Sequence, residues 1–220
     1  MLLGEDFLLL SLDVSSGLPL PGLAVLQRPA FLAACLLAEL AVHQQVGWNP
    51  DGVQIFDELP SYHGLISQSV DALRRAPAAN PADAIRTIGR EVRDLRLQLL
   101  DSLITRGLLH EGSRRSYWLF GQRRYPVRSI RARNEAMEHL MEATTGRSAS
   151  MRSTALLLLS DATAANGHLL SAAQANEASA RATALIQEVR HHLPEAREWS
   201  NTHSAIALLT GIAEALPHVL

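Results

Sequence analysis

The stretch Pro29 to Val42 most constrains how this chain can fold. From Ala30 to Gln45 the sequence is rich in Ala and Leu, apolar nearly all round, and free of internal Gly and Pro. A helix without a polar face has to be covered on every side, so the segment predicts a buried helix. It is too short to span a bilayer, which takes roughly 18 consecutive apolar residues, and it carries Glu39. Other elements of the chain must therefore wrap it. With 220 residues, 47% of them hydrophobic, the chain has enough apolar material to do so. The simplest arrangement is a single domain over residues 1–220.

The rest of the pattern is mostly helical. Phe7 to Leu12 is an apolar run behind Glu5-Asp6, consistent with a short helix or a strand. Gly17, Pro19, Pro21 and Gly22 mark a loop, Trp48 to Gly52 a turn, and Val53 to Phe56 a short strand. Leu65 to Arg75 reads as a helix. Asn80-Pro81 is a strong helix start, and the spacing predicts one helix from there to about Thr105. Its apolar face is Ile85, Ile88, Val92, Leu95, Leu99 and Leu103, with Arg86, Arg90 and Arg93 on another arc and Arg96 at its border. Leu108 to Val127 reads as a β-hairpin with a Gly/Ser/Arg turn. Ser129–Ala143, Met151–Asn166, Asn176–His192 and Asn201–Leu216 read as four more helices. The expected fold is mainly α, a helical domain with a β-hairpin.

Charge is unevenly placed. All 20 basic residues are arginine. Between Arg86 and Arg133 twelve arginines stand against Glu91, Asp94, Asp101 and Glu111, a net of +8, whereas the whole chain is at −2. Codon bias explains the absence of lysine but not this clustering. A basic stretch on an otherwise acidic chain points to an anionic partner: phosphate, membrane surface or nucleic acid.

Enzymatic signatures are weak. Glu188-x-x-His191 and Glu135-x-x-Glu138-His139 have spacings used by carboxylate metal sites, but such spacings are common on solvated helix faces. No glycine-rich phosphate loop, His-Glu-x-x-His or Gly-x-Ser-x-Gly occurs. Cys35 lies in the apolar helix and reads as packing, and one cysteine excludes an internal disulfide framework. His191-His192 before Pro194 fits a helix C-terminus. The expectation is no catalytic residue, no metal and no cofactor. Glu5 and Asp6 precede any basic residue, so the start does not read as a signal peptide, and a cytoplasmic protein is expected.

Four segments, in order, resemble the Golgi phosphoprotein 3 family in its bacterial branch. They are Glu5-Asp6-Phe7-Leu8-Leu9-Leu10, the run Leu32 to Ala41 with Leu36-Leu37 and Glu39-Leu40-Ala41, Arg93 and Arg96 with Arg106-Gly107-Leu108-Leu109, and Arg124-Tyr125-Pro126-Val127. The resemblance implies a helical protein peripherally attached to membranes. Eukaryotic members bind phosphatidylinositol 4-phosphate and hold the cytosolic tails of Golgi glycosyltransferases. Carried over residue by residue, the family's paired lipid-site arginines fall on Arg93 and Arg96. Its first arginine falls on Ala33 and its tryptophan near Ala24. Between Phe56 and Val70 the chain departs from the family's usual Thr-Gly-Asp loop.

The expected headgroup surface is Arg90, Arg93 and Arg96 with Arg114, Arg115, Arg123 and Arg124. Tyr117, Trp118, Leu119 and Phe120 form the expected membrane-inserting tip. A basic residue near an anionic leaflet contributes about 1 kcal/mol, so half of the arginine cluster gives roughly 4–6 kcal/mol. Micromolar binding needs about 8 kcal/mol. A Trp-Leu wedge, at about 1.5–3 kcal/mol per buried apolar side chain, supplies the difference. The competing reading turns Trp118 and Phe120 inward as hairpin core. A winged-helix DNA-binding regulator is the alternative function, since helix, strand, basic wing and strand also describe Leu99 to Leu119. The expected partners are an anionic lipid and the tails of membrane proteins, with nucleic acid disfavoured and self-association left open.

Overall fold

The computed structural model describes residues 1–56, 63–110, 123–145, 149–192 and 200–220. The helices are α1 (Leu3–Ser11), α2 (Pro29–Val42), α3 (Gly64–Arg75), α4 (Pro81–Glu91), α5 (Leu95–Thr105), α6 (Ile130–Thr144), α7 (Met151–Ala162), α8 (Asn166–Leu169), α9 (Ala172–His192) and α10 (Asn201–Val219). Two strands, β1 (Val46–Asn49) and β2 (Gly52–Ile55), form an antiparallel hairpin. The chain is mainly helical, as its periodicity predicts.

Helix α2 is the centre. Pro29 opens it, where a missing N–H costs nothing. Every residue from Phe31 to Ala41 is buried, and the helix packs against α1, α3, α4, α5, α7 and α10. Phe31, Leu32, Leu36, Leu37 and Leu40 each have no exposed surface, and each such burial stabilises by about 1.5–3 kcal/mol. Helix α1 is also buried along its whole length, Glu5 and Asp6 included. The ring of Phe7 meets Phe31 edge-on, with centroids 4.9 Å apart.

The single helix expected from Asn80 to Thr105 is two helices. Val92 is extended (φ −91°, ψ 101°) and Asp94 is left-handed (φ 51°, ψ 32°), which ends α4 and restarts the chain as α5. Val92 and Leu95 are both buried, so the apolar period continues across the break. The break lets the two helices reach different neighbours. Helix α4 packs on α2, α3 and α10, whereas α5 packs on α1 and α2. Aspartate is one of the few residues that enter the left-handed region as single residues.

The sheet reading also needs correction. The turn and the strand from Val53 are present, but Val46–Asn49 is the partner strand, with Trp48 opposite Val53. Of the hairpin expected over Leu108–Val127, residues 111–122 lie outside the described residues. Its base is visible as an antiparallel bridge between Leu109 and Val127. The Tyr125 N–H donates to the Gly17 carbonyl (2.9 Å) and the Val127 N–H to that of Val14 (3.1 Å), which ties this base to the loop after α1. The stretch expected as one helix over Met151–Asn166 ends at Ala162, and α8 follows after a left-handed Ala164. Among the described residues, no helix is long and apolar enough to cross a membrane.

Candidate functional site

The arginines are best taken outward from Arg96. Its Nε and Nη2 both donate to Oε1 of Gln27, at 3.1 and 2.8 Å. Its guanidinium carbon lies 5.7 Å from the centroid of the Tyr125 ring. Gln27 in turn donates to Ser11 Oγ at 3.0 Å, and Ser11 Oγ donates to the Leu8 carbonyl. Arg96 is thus held half-buried by groups from the end of α1, the turn before α2, and the exit of the 108–127 segment. Because Tyr125 follows Arg123 and Arg124, this contact brings the helix arginines and the two exit arginines into one neighbourhood.

Arg93, in the turn between α4 and α5, is exposed, and its side chain forms no hydrogen bond or ion pair among the described residues. Arg90 is exposed and pairs with Glu91 at 3.1 Å, and Arg86 pairs with Asp83 at 3.0 Å. The break at Val92–Asp94 divides the expected arginine ladder. Arg86 and Arg90 belong to α4, Arg93 to the turn, and Arg96 to α5. Arg123 and Arg124 are exposed. Arg114, Arg115, Tyr117, Trp118, Leu119 and Phe120 lie outside the described residues.

The two positions where the chain departs from the resembled lipid site differ in character. Ala24 is exposed in a 3-10 turn (Ala24–Gln27) that also carries Gln27. Ala33 has no exposed surface and lies where α2 meets α4; a Cβ added to Gly89 would stand 3.7 Å from it. That close crossing leaves no room for an arginine at position 33.

A second polar assembly was not anticipated. Three buried carboxylates, Glu5, Asp6 and Glu39, meet two arginines at the N-terminal end of α1. Arg106 Nη1 donates to Glu5 Oε2 at 2.8 Å, and Ser102 Oγ donates to Glu5 Oε1 at 2.6 Å. Glu5 also caps its own helix by accepting from the Leu2 N–H at 2.8 Å. Arg152 of α7 donates through Nη1 to Glu39 at 3.2 Å, and through Nη2 to Asp6 and the Met1 carbonyl. Glu39 further accepts from the Leu3 N–H at 2.6 Å and contacts His43 Nε2 at 3.2 Å. Burial alone would raise the Glu39 carboxyl, but the His43 bond, the Arg152 charge and the Leu3 N–H hold it below its usual range. Burial outweighs Arg152 at Asp6 and pushes that carboxyl up to about 6. Glu39 sits inside an apolar run and Glu5-Asp6 directly ahead of one, and charges that become buried must be paired. Nothing local pointed to Arg152 as their partner.

The residues of the metal-type spacings are exposed or engaged elsewhere. Glu188 and His191 are exposed on α9, Glu135 pairs with Arg131 at 2.8 Å, and His139 contacts Glu142 at 3.4 Å. No group of His, Cys, Asp and Glu among the described residues is arranged to hold a metal ion. Cys35 is buried, and burial raises its thiol well above the usual range.

The motif segments read from the sequence therefore meet in space. Glu5-Asp6, Glu39 and Arg106 join in one cluster, and Arg96 joins Tyr125. No curated protein matches the chain. The family model for Golgi phosphoprotein 3 (GPP34) matches residues 3–202, and the chain belongs to that family.

Proposed function

We propose that this is a peripheral membrane protein that holds anionic phospholipid headgroups, of the phosphatidylinositol 4-phosphate type, on an arginine surface centred on Arg93 and Arg96. The observation that carries the reading is the seating of Arg96 on Gln27 and Tyr125, beside an exposed Arg93 and next to Arg123-Arg124. A guanidinium already fixed by its neighbours loses little freedom when a phosphate arrives, and its planar fork suits phosphate oxygens. Arg90, Arg114 and Arg115 extend the charge, and the Tyr117–Phe120 tip supplies the apolar wedge. Membership of the family supports a lipid-binding or adaptor role and a non-enzymatic one. An adaptor role, holding the tails of membrane proteins at the bilayer, rests on the family alone.

The winged-helix alternative gains nothing from the fold. Helix α5 would be the recognition helix, yet its exposed positions are Leu97, Asp101 and Thr105, and an aspartate facing the phosphates repels them.

Vesicle flotation tests the proposal. Neutral vesicles are compared with vesicles carrying phosphatidylinositol 4-phosphate and with vesicles of equal charge from another anionic lipid, with duplex DNA as competitor. Binding to anionic vesicles that the Arg93→Ala/Arg96→Ala variant loses is the expected result. Equal flotation of variant and wild type, or capture by DNA in place of vesicles, overturns it.

A further inference from the structure

A cleft of about 360 Å³ opens beside the buried carboxylates. Arg106, Arg152, His43 and His63 line it together with Glu5 and Glu39, and Met1 and Leu2 give it an apolar part. Its size sits near the lower end of ligand pockets, which run from about 300 to 1,000 Å³. At about 30 Å³ per water-sized group, it holds roughly a dozen such groups.

The charge of the lining is misleading if only counted. Glu5 and Glu39 are 0% and 2% exposed. Each of their four oxygens already accepts at least one hydrogen bond, from Ser102, Arg106, the Leu2 N–H, the Leu3 N–H, His43 or Arg152. A cation entering the cleft finds no carboxylate oxygen that is both reachable and unengaged. The guanidiniums are reachable: the Arg106 side chain is 44% exposed and that of Arg152 21%. Arg106 uses only Nη1 and Arg152 uses Nη1 and Nη2. Nε and Nη2 of Arg106 and Nε of Arg152 have no partner among the described residues. The acids hold the two arginines, both of which line the cleft and keep N–H donors unengaged.

We infer that this cleft binds a small amphiphile, with its anionic group, a carboxylate or a phosphate, on Arg106 and Arg152 and a short apolar body against Met1 and Leu2. The site is separate from the Arg93–Arg96 surface and does not depend on the membrane reading. Its specificity follows from the two halves of the lining. An inorganic anion lacks the apolar contact, and an uncharged amphiphile leaves the arginine donors unmet. A phosphate accepts from more donors than a carboxylate does, which favours the phosphate among ligands of equal length.

The test uses the whole protein, hexyl phosphate and hexanoate as ligands, and inorganic phosphate and hexan-1-ol as controls. Binding is followed by calorimetry and by the NMR signals of the arginine Nε–H groups. The expected result is saturable binding of hexyl phosphate at least ten-fold tighter than of either control, with shifts at Arg106 and Arg152. Comparable binding of hexanoate would assign the site to carboxylates as well as phosphates and supports the inference. Arg106→Gln should weaken hexyl phosphate at least ten-fold. Because that change also removes a partner of Glu5, the wild-type NMR map stands as the independent readout. Shifts confined to Arg93 and Arg96 would place the ligand on the other surface and overturn the inference. Absent saturation, or equally tight binding of a control, would also overturn it.

Discussion

Arg152 of α7 binds both Asp6 of α1 and Glu39 of α2, so one guanidinium joins three helices through two buried carboxylates. Two acids, both almost fully buried, and one partly exposed base leave a formal charge of −1. The backbone N–H of Leu3 and the His43 ring offset it in part.

Replacing Arg152 by Met should therefore be among the most damaging single changes in the chain. It keeps the apolar stem and strands Asp6 and Glu39. Breaking a buried pair in this way costs about 3–5 kcal/mol. Urea denaturation at neutral pH should show a loss of unfolding free energy of that size. Arg106→Met should cost less, because Glu5 keeps its bonds from the Leu2 N–H and Ser102. Equal losses for the two variants would contradict the asymmetry described.

The elevated Asp6 carboxyl makes stability depend on pH in a specific direction. Its value in the fold is about 6, against 3.8 ordinarily, so the folded state binds the proton more tightly than the unfolded state. The stability contributed by Asp6 therefore rises as pH falls through 6 and is complete only below 3.8. Glu39 acts the other way: its carboxyl is depressed, so its contribution is present above 4.5 and is lost as pH falls through its lowered value. Between pH 7 and pH 5 Asp6 dominates. At about 1.4 kcal/mol per pKa unit, the wild type should gain about 1 kcal/mol over that window relative to Asp6→Asn. Parallel Tm profiles for the two proteins would show that Asp6 does not titrate there.

Gly17→Ala should loosen the base of the 108–127 segment. Gly17 has φ +66°, and a Cβ there would come within 2.2–2.4 Å of the Tyr125–Pro126 backbone. Neither chain can yield without losing the bond from the Tyr125 N–H to the Gly17 carbonyl. A loss of at least about 1 kcal/mol in thermal denaturation is expected. Gly167→Ala is the control: it lies in helix α8 with nothing within 4 Å of the added Cβ, and it should be neutral or slightly stabilising.

Arg93→Ala and Arg96→Ala should separate binding from stability. Arg93 has no side-chain partner among the described residues, so its loss should leave stability unchanged within about 0.5 kcal/mol. It should weaken anionic-vesicle binding by about 1 kcal/mol, near five-fold. Arg96→Ala strips both donors from the buried Gln27 oxygen and should reduce stability as well. Co-sedimentation and calorimetric melting on both variants check this. A large drop in Tm for Arg93→Ala would sink the distinction.

What could be read in advance divides along physical lines. The Ala/Leu run of α2 announces its burial because composition alone decides whether a helix has a wet face. Asn80-Pro81 announces α4 because capping is local, and the Asn80 side chain does accept from the Asp83 N–H at 3.0 Å. The break at Val92–Asp94 was hidden because Ile88, Val92, Leu95 and Leu99 keep a helical period straight through it. The one clue was Asp94, a residue type common just before a helix, directly ahead of Leu95. The strand Val46–Asn49 was hidden by its brevity. For the site, Arg93 and Arg96 were legible through spacing and resemblance, and the seat of Arg96 on Gln27 and Tyr125 was not. Contacts between residues 69 positions apart leave no trace in local spacing.

The pairs that hold α1 also set a clock. Glu5 reaches Arg106 across 101 positions and Asp6 reaches Arg152 across 146. On a ribosome adding about 5–20 residues per second, roughly 7–30 s separate the synthesis of Asp6 from that of its partner. Throughout that interval Asp6 lacks its counter-charge, while α2, α5 with Arg106, and α6 are added against α1 one after another. Protease protection of α1 in stalled nascent chains should therefore appear only once α7 has left the exit tunnel. Helix α1 is made before all its partners and completed late, so it is in need of shelter while they are being made.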